Sequence, residues 1–200
     1  MQEARRDVHA FAGAVMRDEM TGALLENADL HNTWHQLADQ HDRLLIWSAV
    51  EHGKTTQMSV LRPLWELGKD TSLRICIVSN THGQAVKIMR PIKSMIERSP
   101  QLRAVFPDLR PSRDLWTNSS IIVERPFVSK DPSIQALGVH GNITGARIDL
   151  LILDDILDYE NTRSQEGRED LWNWYHSALG GRLTKRARVL CLGTAYHPDD

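Results

Sequence analysis

The chain has 200 residues, a net charge of −2 and an apolar fraction of 41%, which suits one compact domain with a sizeable core, or slightly more than one. No apolar run approaches bilayer length, and the opening MQEARRDVHAF has no apolar stretch leading to a small-residue cleavage site, so neither a membrane span nor secretion is expected. Cys76 and Cys191 lie in separate apolar runs and read as small buried hydrophobes, with neither disulfide nor zinc spacing.

The first 40 residues read as helical, with Val8, Phe11, Ala12, Val15 and Met16 at helical spacing and breaks near Thr21-Gly22 and from Asn27 to Asp29. Arg43 to Ser48 reads as a short buried strand, followed by a loop and a helix from Lys54 to Leu67 that Pro63 should kink or shorten. Arg74 to Ser79 is a second buried strand and Gln84 to Arg98 a helix containing Pro91. Pro107 to Asn118 is loop-like. Ser120 to Glu124 and Ser133 to Gly138 are short strands in a hairpin-like excursion, and Ile148 to Leu153 is the clearest buried strand. Gln165 to Leu179 is a helix in which Trp172 and Trp174, two apart, cannot both face the core; Arg188 to Gly193 is the last strand. Strands alternating with helices predict an α/β fold with a mostly parallel sheet covered on both faces. Ligands of such sheets bind at the carboxyl ends of the strands, which is where chemistry-bearing motifs should stand.

Three motifs stand there. Ser48-Ala-Val-Glu-His52-Gly53-Lys54-Thr55-Thr56 follows one strand and opens a helix. A phosphate loop needs backbone N–H groups at a helix N-terminus, a lysine for the β- and γ-phosphates and a hydroxyl for Mg²⁺. Gly53, Lys54 and Thr55 supply these, while Ser48 stands where the usual pattern has its first glycine. Leu150 to Leu153 then runs into Asp154-Asp155, as in a Walker B element. There Asp154 would hold Mg²⁺ and Asp155 would polarise an attacking water; the competing reading is a strand ending in a helix cap. The third motif, Leu192-Gly193-Thr194 with His197, Asp199 and Asp200, offers a small polar residue able to contact the γ-phosphate, or is simply a turn.

In this order the motifs resemble phage terminase large subunits. The segment from Gly138 through Asp154-Asp155 carries the resemblance most specifically. It is joined by Ser164, Arg168, Trp172, Arg182-Leu183, Thr194 and the loop His52-Gly53-Lys54-Thr55, over about residues 30 to 200. The resemblance implies a P-loop NTPase of the ASCE/RecA-like kind, a three-layer sandwich at residues 41–200 preceded by a helical segment at 1–40. It implies ATP and Mg²⁺ as cofactors and hydrolysis that moves double-stranded DNA into a procapsid. Portal protein and small terminase subunit are the implied partners, with a homo-oligomeric ring on the portal, a monomer in isolation, and the host cytoplasm as location. Lys54, Thr55 and Thr56 fall at its phosphate and metal positions, Asp154 at the metal, Asp155 at the catalytic acid and Thr194 in the coupling motif. The family's nuclease domain is not expected within these 200 residues, so no cleavage activity is expected either. Many terminases carry an arginine three residues before the P-loop glycine, where this chain has Val50; Arg147, Arg163 or a neighbouring subunit would then supply it. Asp155 also replaces the family's more frequent glutamate.

Other residues carry weaker signals. Gln36, near Trp34 and 17 residues before Gly53, could read an adenine edge or belong to an ordinary amphipathic helix. His31, His35 and His41 lack the partners of a metal site and read as a solvated face. The basic cluster Arg182, Lys185, Arg186 and Arg188, and the scattered Arg98, Arg103, Arg110 and Arg113, also read as solvated faces. Two alternatives to a packaging motor are a helicase-like or repair ATPase, which normally needs a second RecA-like domain, and a nucleotide-binding regulatory module without turnover.

Overall fold

In the computed structural model, residues 1–17, 21–143, 146–158 and 162–194 are described. Seven strands form one sheet: β1 (Arg43–Trp47), β2 (Ile75–Ser79), β3 (Pro111–Trp116), β4 (Ser120–Val123), β5 (Ile134–Gly138), β6 (Ile148–Asp154) and β7 (Leu183–Gly193), in spatial order β1-β7-β6-β2-β5-β4-β3. The run from β1 to β5 is parallel, and β4 and β3 add an antiparallel edge. The middle strands β2 and β6 are apolar along almost their whole length because both of their faces are covered.

One face carries α1 (Gln2–Arg6), α2 (Val8–Val15), α3 (Asp29–Gln40), α4 (Arg62–Lys69), α5 (His82–Arg98) and α6 (Pro100–Val105), whose apolar stripes share a core with Ile77, Ile152 and Leu190. The other carries α7 (Gln165–Trp174), over a second core that includes Val78, Leu151 and Val189. The three layers of an α/β sandwich follow. Polar residues set the helix starts: the Asp7 carboxylate accepts the N–H groups of His9 and Ala10, and Thr81, Ser99 and Ser164 cap α5, α6 and α7 in the same way. Within the first layer Phe11 of α2 meets Phe106 beyond α6 at 5.4 Å between ring centroids. Gly138 ends β5 directly against α5, where a Cβ would lie 2.4 Å from the His82 nitrogen, so the start of α5 is fixed beside the strand ends. Among the described residues no helix is long and apolar enough to cross a membrane.

Four elements differ from the sequence expectation. The stretch 107–118, expected as loop, contains β3; Pro111 is the first residue of an edge strand, where a missing N–H costs no ladder bond. β1, expected to be buried, is the opposite edge, with Ile46 inward and Leu45 and Trp47 55% and 48% exposed. β7 starts at Leu183, five residues earlier than expected, because its polar first half pairs only at the foot of β6. Finally, the helix after the loop begins as a π-helix over Thr55–Leu61, and Pro63 falls in the first turn of the regular segment that follows. The wide turn accommodates the missing N–H in place of a kink. Trp172 and Trp174 divide as their spacing requires: Trp172 is exposed, whereas Trp174 packs edge-on against His140.

Candidate functional site

The carboxyl ends of β1, β7, β6 and β2 bring together Ser48, Thr194, Asp154-Asp155 and Ser79-Asn80. The loop after β1 turns through Glu51 at φ 65° and Gly53 at φ 75°, and the second of these is a conformation that glycine adopts freely. It returns Lys54 to the strand ends with its side chain buried. The ammonium has three donors and finds three acceptors: the carbonyls of Ser48 at 2.5 Å and Ala49 at 3.1 Å, and the Thr194 hydroxyl at 3.1 Å. Thr194 in turn donates to the Ser48 carbonyl at 3.3 Å, and the Ser48 N–H donates to Gly193 O at 3.2 Å. The lysine therefore joins the ends of β1 and β7, and a phosphate that takes it must displace acceptors of the loop's own backbone.

One residue further on, the Thr55 hydroxyl donates to Asp154 Oδ1 at 3.1 Å. Asp154 is 1% exposed and its Oδ2 has no hydrogen-bond partner. Burial, reinforced by the neighbouring Asp155 charge, pushes its carboxyl up to about 6 against the opposing effects of Ser59, Thr55 and Lys54. Asp155 has left its strand at φ 44°, tied by its N–H to Leu192 O at 3.0 Å, and its Oδ1 is also buried without a partner. Two orphaned carboxylate oxygens beside a threonine hydroxyl fit a hard divalent cation. Among the described residues no cluster of three or more His, Cys, Asp or Glu surrounds that point. Thr55 and Asp154 would therefore share the ion with water and substrate oxygens, the usual manner for Mg²⁺.

These acids open onto a cavity of about 450 Å³, whose walls also include Thr56, Asn80, Gln84, Lys87 and Asp158. Asn80 donates its amide to Asp158 Oδ2 at 2.5 Å. Sequence reasoning missed both, although Asn80 directly follows β2 and the strand-end rule points to it. It also missed how α3 braces the loop. His31 Nε2 meets His52 O at 3.0 Å, and the Gln57 side chain bonds His35 Nε2 at 3.1 Å and Asn27 at 3.0 Å. His52 itself turns its Nδ1 to Val50 O at 2.9 Å. The histidines expected on a solvated face thus divide, with His35 fully buried and His41 exposed.

Two expected residues lie elsewhere. Arg147 precedes β6, at the end of the strand opposite Asp154, roughly 23 Å away at the usual strand rise. Its N–H donates to Asp131, and it cannot act on this cavity within the same chain. Gln36 is exposed on α3; the residues of that helix that reach the loop are His31 and His35. Arg163 is exposed just ahead of α7, and His197, Asp199 and Asp200 lie outside the described residues.

Burial at the site also sets a pH dependence. The folded Asp154 carboxyl titrates above its ordinary 3.8, so the stability it contributes is present below 3.8 and lost as pH rises through about 6. His35, pushed down from 6.5 to about 4 chiefly by burial, acts oppositely: its stability is present above 6.5 and lost as pH falls through 4. Each effect is about 3 kcal/mol at one pKa unit per 1.36 kcal/mol. Thermal melts without Mg²⁺ between pH 5 and 6, above the range in which Glu66 and Asp149 titrate, are expected to be nearly flat for the wild type. Asp154→Asn should instead gain several degrees as pH rises. A variant profile as flat as the wild type's would disprove the assignment to Asp154.

A Gly53-Lys54-Thr55 loop after β1 and paired acids ending β6, in this mostly parallel sheet, match the arrangement of a P-loop NTPase fold. No family model matches the chain. Over 136 residues it is 34% identical to the terminase large subunit of Enterobacteria phage T3; the match covers 66% of this chain and 22% of that subunit's length. Among solved structures, the HK97 bacteriophage large terminase superposes with a TM-score of 0.64 at 16% identity, over 96% of this chain and 38% of that one. The large terminase ATPase domain of Thermus phage P74-26 gives 0.59 at 16% identity, over 86% and 67%. The chain is therefore similar in sequence to a phage terminase large subunit and shares the fold of large-terminase ATPase domains.

Proposed function

We propose that this chain is the ATP-hydrolysing motor portion of a DNA-packaging terminase, driving double-stranded DNA into a procapsid in the infected host's cytoplasm. Portal protein and a small terminase subunit would be its partners, and a ring of copies on the portal its working assembly. The observation that supports this best is the convergence of Lys54 and Thr55, after β1, with Asp154 and Asp155, at the end of β6, across the carboxyl end of the intervening β7.

In this reading Lys54 exchanges the Ser48 and Ala49 carbonyls for the β- and γ-phosphates, and the N–H groups that open the following helix face the same anion. Bound Mg²⁺, held through Thr55 and Asp154, supplies charge neutralisation for the transferred phosphoryl group. Asp155 orients the attacking water and takes its proton. Thr194, bonded to the lysine before ATP arrives, is displaced when the lysine turns and carries that change into β7. Among the described residues no arginine lines the cavity, so a neighbouring subunit would contribute the cation that many NTPases bring to the γ-phosphate.

Steady-state MgATP hydrolysis measured against protein concentration tests the reading. Turnover per subunit is expected to rise with concentration and to vanish in Asp155→Ala. Concentration-independent turnover would refute the shared site, and absence of nucleotide binding would refute the function. One observation favours a second reading, a regulatory nucleotide switch: Lys54 is already closed on its own loop. Binding without turnover at any concentration would select it.

A further inference from the structure

The outward face of α5 carries Lys87, Arg90, Lys93 and Arg98 beside a groove of about 570 Å³, closed on its far side by Asn118 between β3 and β4. At 1.5 Å per residue the four cations span roughly 16 Å. Lys87 and Arg90 have no ion-pair partner among the described residues. Among the described residues Lys93 Nζ reaches only the Asn118 side-chain oxygen at 3.4 Å and the Trp116 ring. Glu97, the single acid among the described residues that line the groove, accepts the Trp116 indole N–H at 2.5 Å and stands 3.9 Å from the exposed Arg98. Like charges at helical neighbour positions repel, so this row costs the free helix some stability that an external polyanion would return.

The basic cluster that stands out in the sequence fares differently. Arg188 is bound to Glu66 at 2.8 Å and Arg182 bonds Ala178 O, leaving Lys185 and Arg186 exposed. The fold dissolves that cluster and assembles another, in a chain whose net charge is only −2.

We propose that the α5 groove holds the phosphodiester backbone of duplex DNA. The choice of DNA as the polyanion rests on the motor reading above. One strand of B-DNA presents a phosphate roughly every 3.4 Å along the axis, so the row of cations can face several of them. Ser94 and Asn118 add neutral hydrogen-bonding groups to the same groove. Contacts of this kind hold a duplex without reading its sequence, which suits a translocated substrate. Lys87 and Pro91 also line the nucleotide cavity, so the groove begins where that cavity ends. Pro91 withholds the N–H that the Lys87 carbonyl would otherwise receive, so that carbonyl lacks its helical partner at this junction.

The test is fluorescence anisotropy of a labelled random-sequence duplex, titrated with the full chain at several salt concentrations. The triple variant Arg90→Ala, Lys93→Ala, Arg98→Ala is expected to weaken binding more than tenfold and to flatten the salt slope by about 2.7, or 0.9 per lost contact. Lys185→Ala with Arg186→Ala should leave both unchanged, and the charge-keeping pair Arg90→Lys, Arg98→Lys should retain most of the affinity, which guards against misfolding. Wild-type binding unaffected by the triple variant, equal loss in the Lys185 and Arg186 variant, or no duplex binding at low salt would each overturn the proposal. ATP hydrolysis in the same preparations reports separately on the motor reading: a failed groove beside intact turnover sinks only the groove.

Discussion

Replacing Lys54 with alanine is expected to lower ATP turnover at saturating nucleotide by about 10³-fold, the scale on which a preorganised charge at a developing oxyanion acts. The lysine's three present acceptors hold its ammonium among the strand ends, beside the carboxylates that would bind the metal. Alanine removes the charge and also frees the carbonyls of Ser48 and Ala49. Because that loop is solvent-accessible, water replaces the lost bonds and the fold should melt within a few degrees of the wild type. Arginine is not expected to rescue activity, since a planar fork does not replace a compact ammonium among three convergent acceptors. Turnover by Lys54→Ala within tenfold of the wild type, measured at matched protein concentration, would remove the loop from the reaction.

A comparably large effect on stability is expected at Arg62. Its guanidinium is fully buried: Nε donates to Glu66 at 2.8 Å, Nη1 to the His35 carbonyl at 3.3 Å and Nη2 to Asp39. Glu66 also holds Arg188 of β7 at 2.8 Å, so two cations and two acids close a neutral network between α3, α4 and the sheet. Those cations draw the Glu66 carboxyl below its ordinary range although burial alone would raise it. Arg62→Ala leaves Glu66 dependent on Arg188 alone and opens a cavity beneath Trp65, whose ring lies 5.1 Å from the guanidinium carbon. Denaturant unfolding should report a loss of about 3–5 kcal/mol, as for other buried pairs broken from one side. A loss below about 1 kcal/mol would mean that the network contributes little.

Much of this architecture was legible before the structure, for identifiable reasons. β2 and β6 are continuous apolar runs flanked by breaks, and a strand buried on both faces leaves just that trace. The same logic failed at the margins. β1 has an apolar sequence but an edge position, and nothing in Arg43 to Trp47 says how many neighbours it has. β3 was hidden by its two nearby prolines, which an edge tolerates. The positions of Lys54, Thr55, Asp154 and Asp155 beside the strand ends were readable because each is fixed by its offset from a strand. Arg147 was misplaced because closeness to Asp154 in sequence became opposite ends of one strand in space. Asn80, Asp158 and His31 approach the cavity or its loop from other elements, and only tertiary packing brings them there. Pairing by charge was no more local: the Arg188 partner, Glu66, lies more than a hundred positions away.

The edge position of β1 has a mechanical side. Whereas β6 and β7 are gripped by ladders on both flanks, the strand that carries the Lys54 loop hangs from β7 alone among the described residues. Its amides that point away from β7 should exchange with solvent far faster than those of β2. Its far end is tethered where Ser48, Lys54 and Thr194 meet. A tug on that tether when phosphate binds or leaves would therefore be absorbed by one compliant rail, while the stiff slab behind it, bearing Asp154, keeps its place.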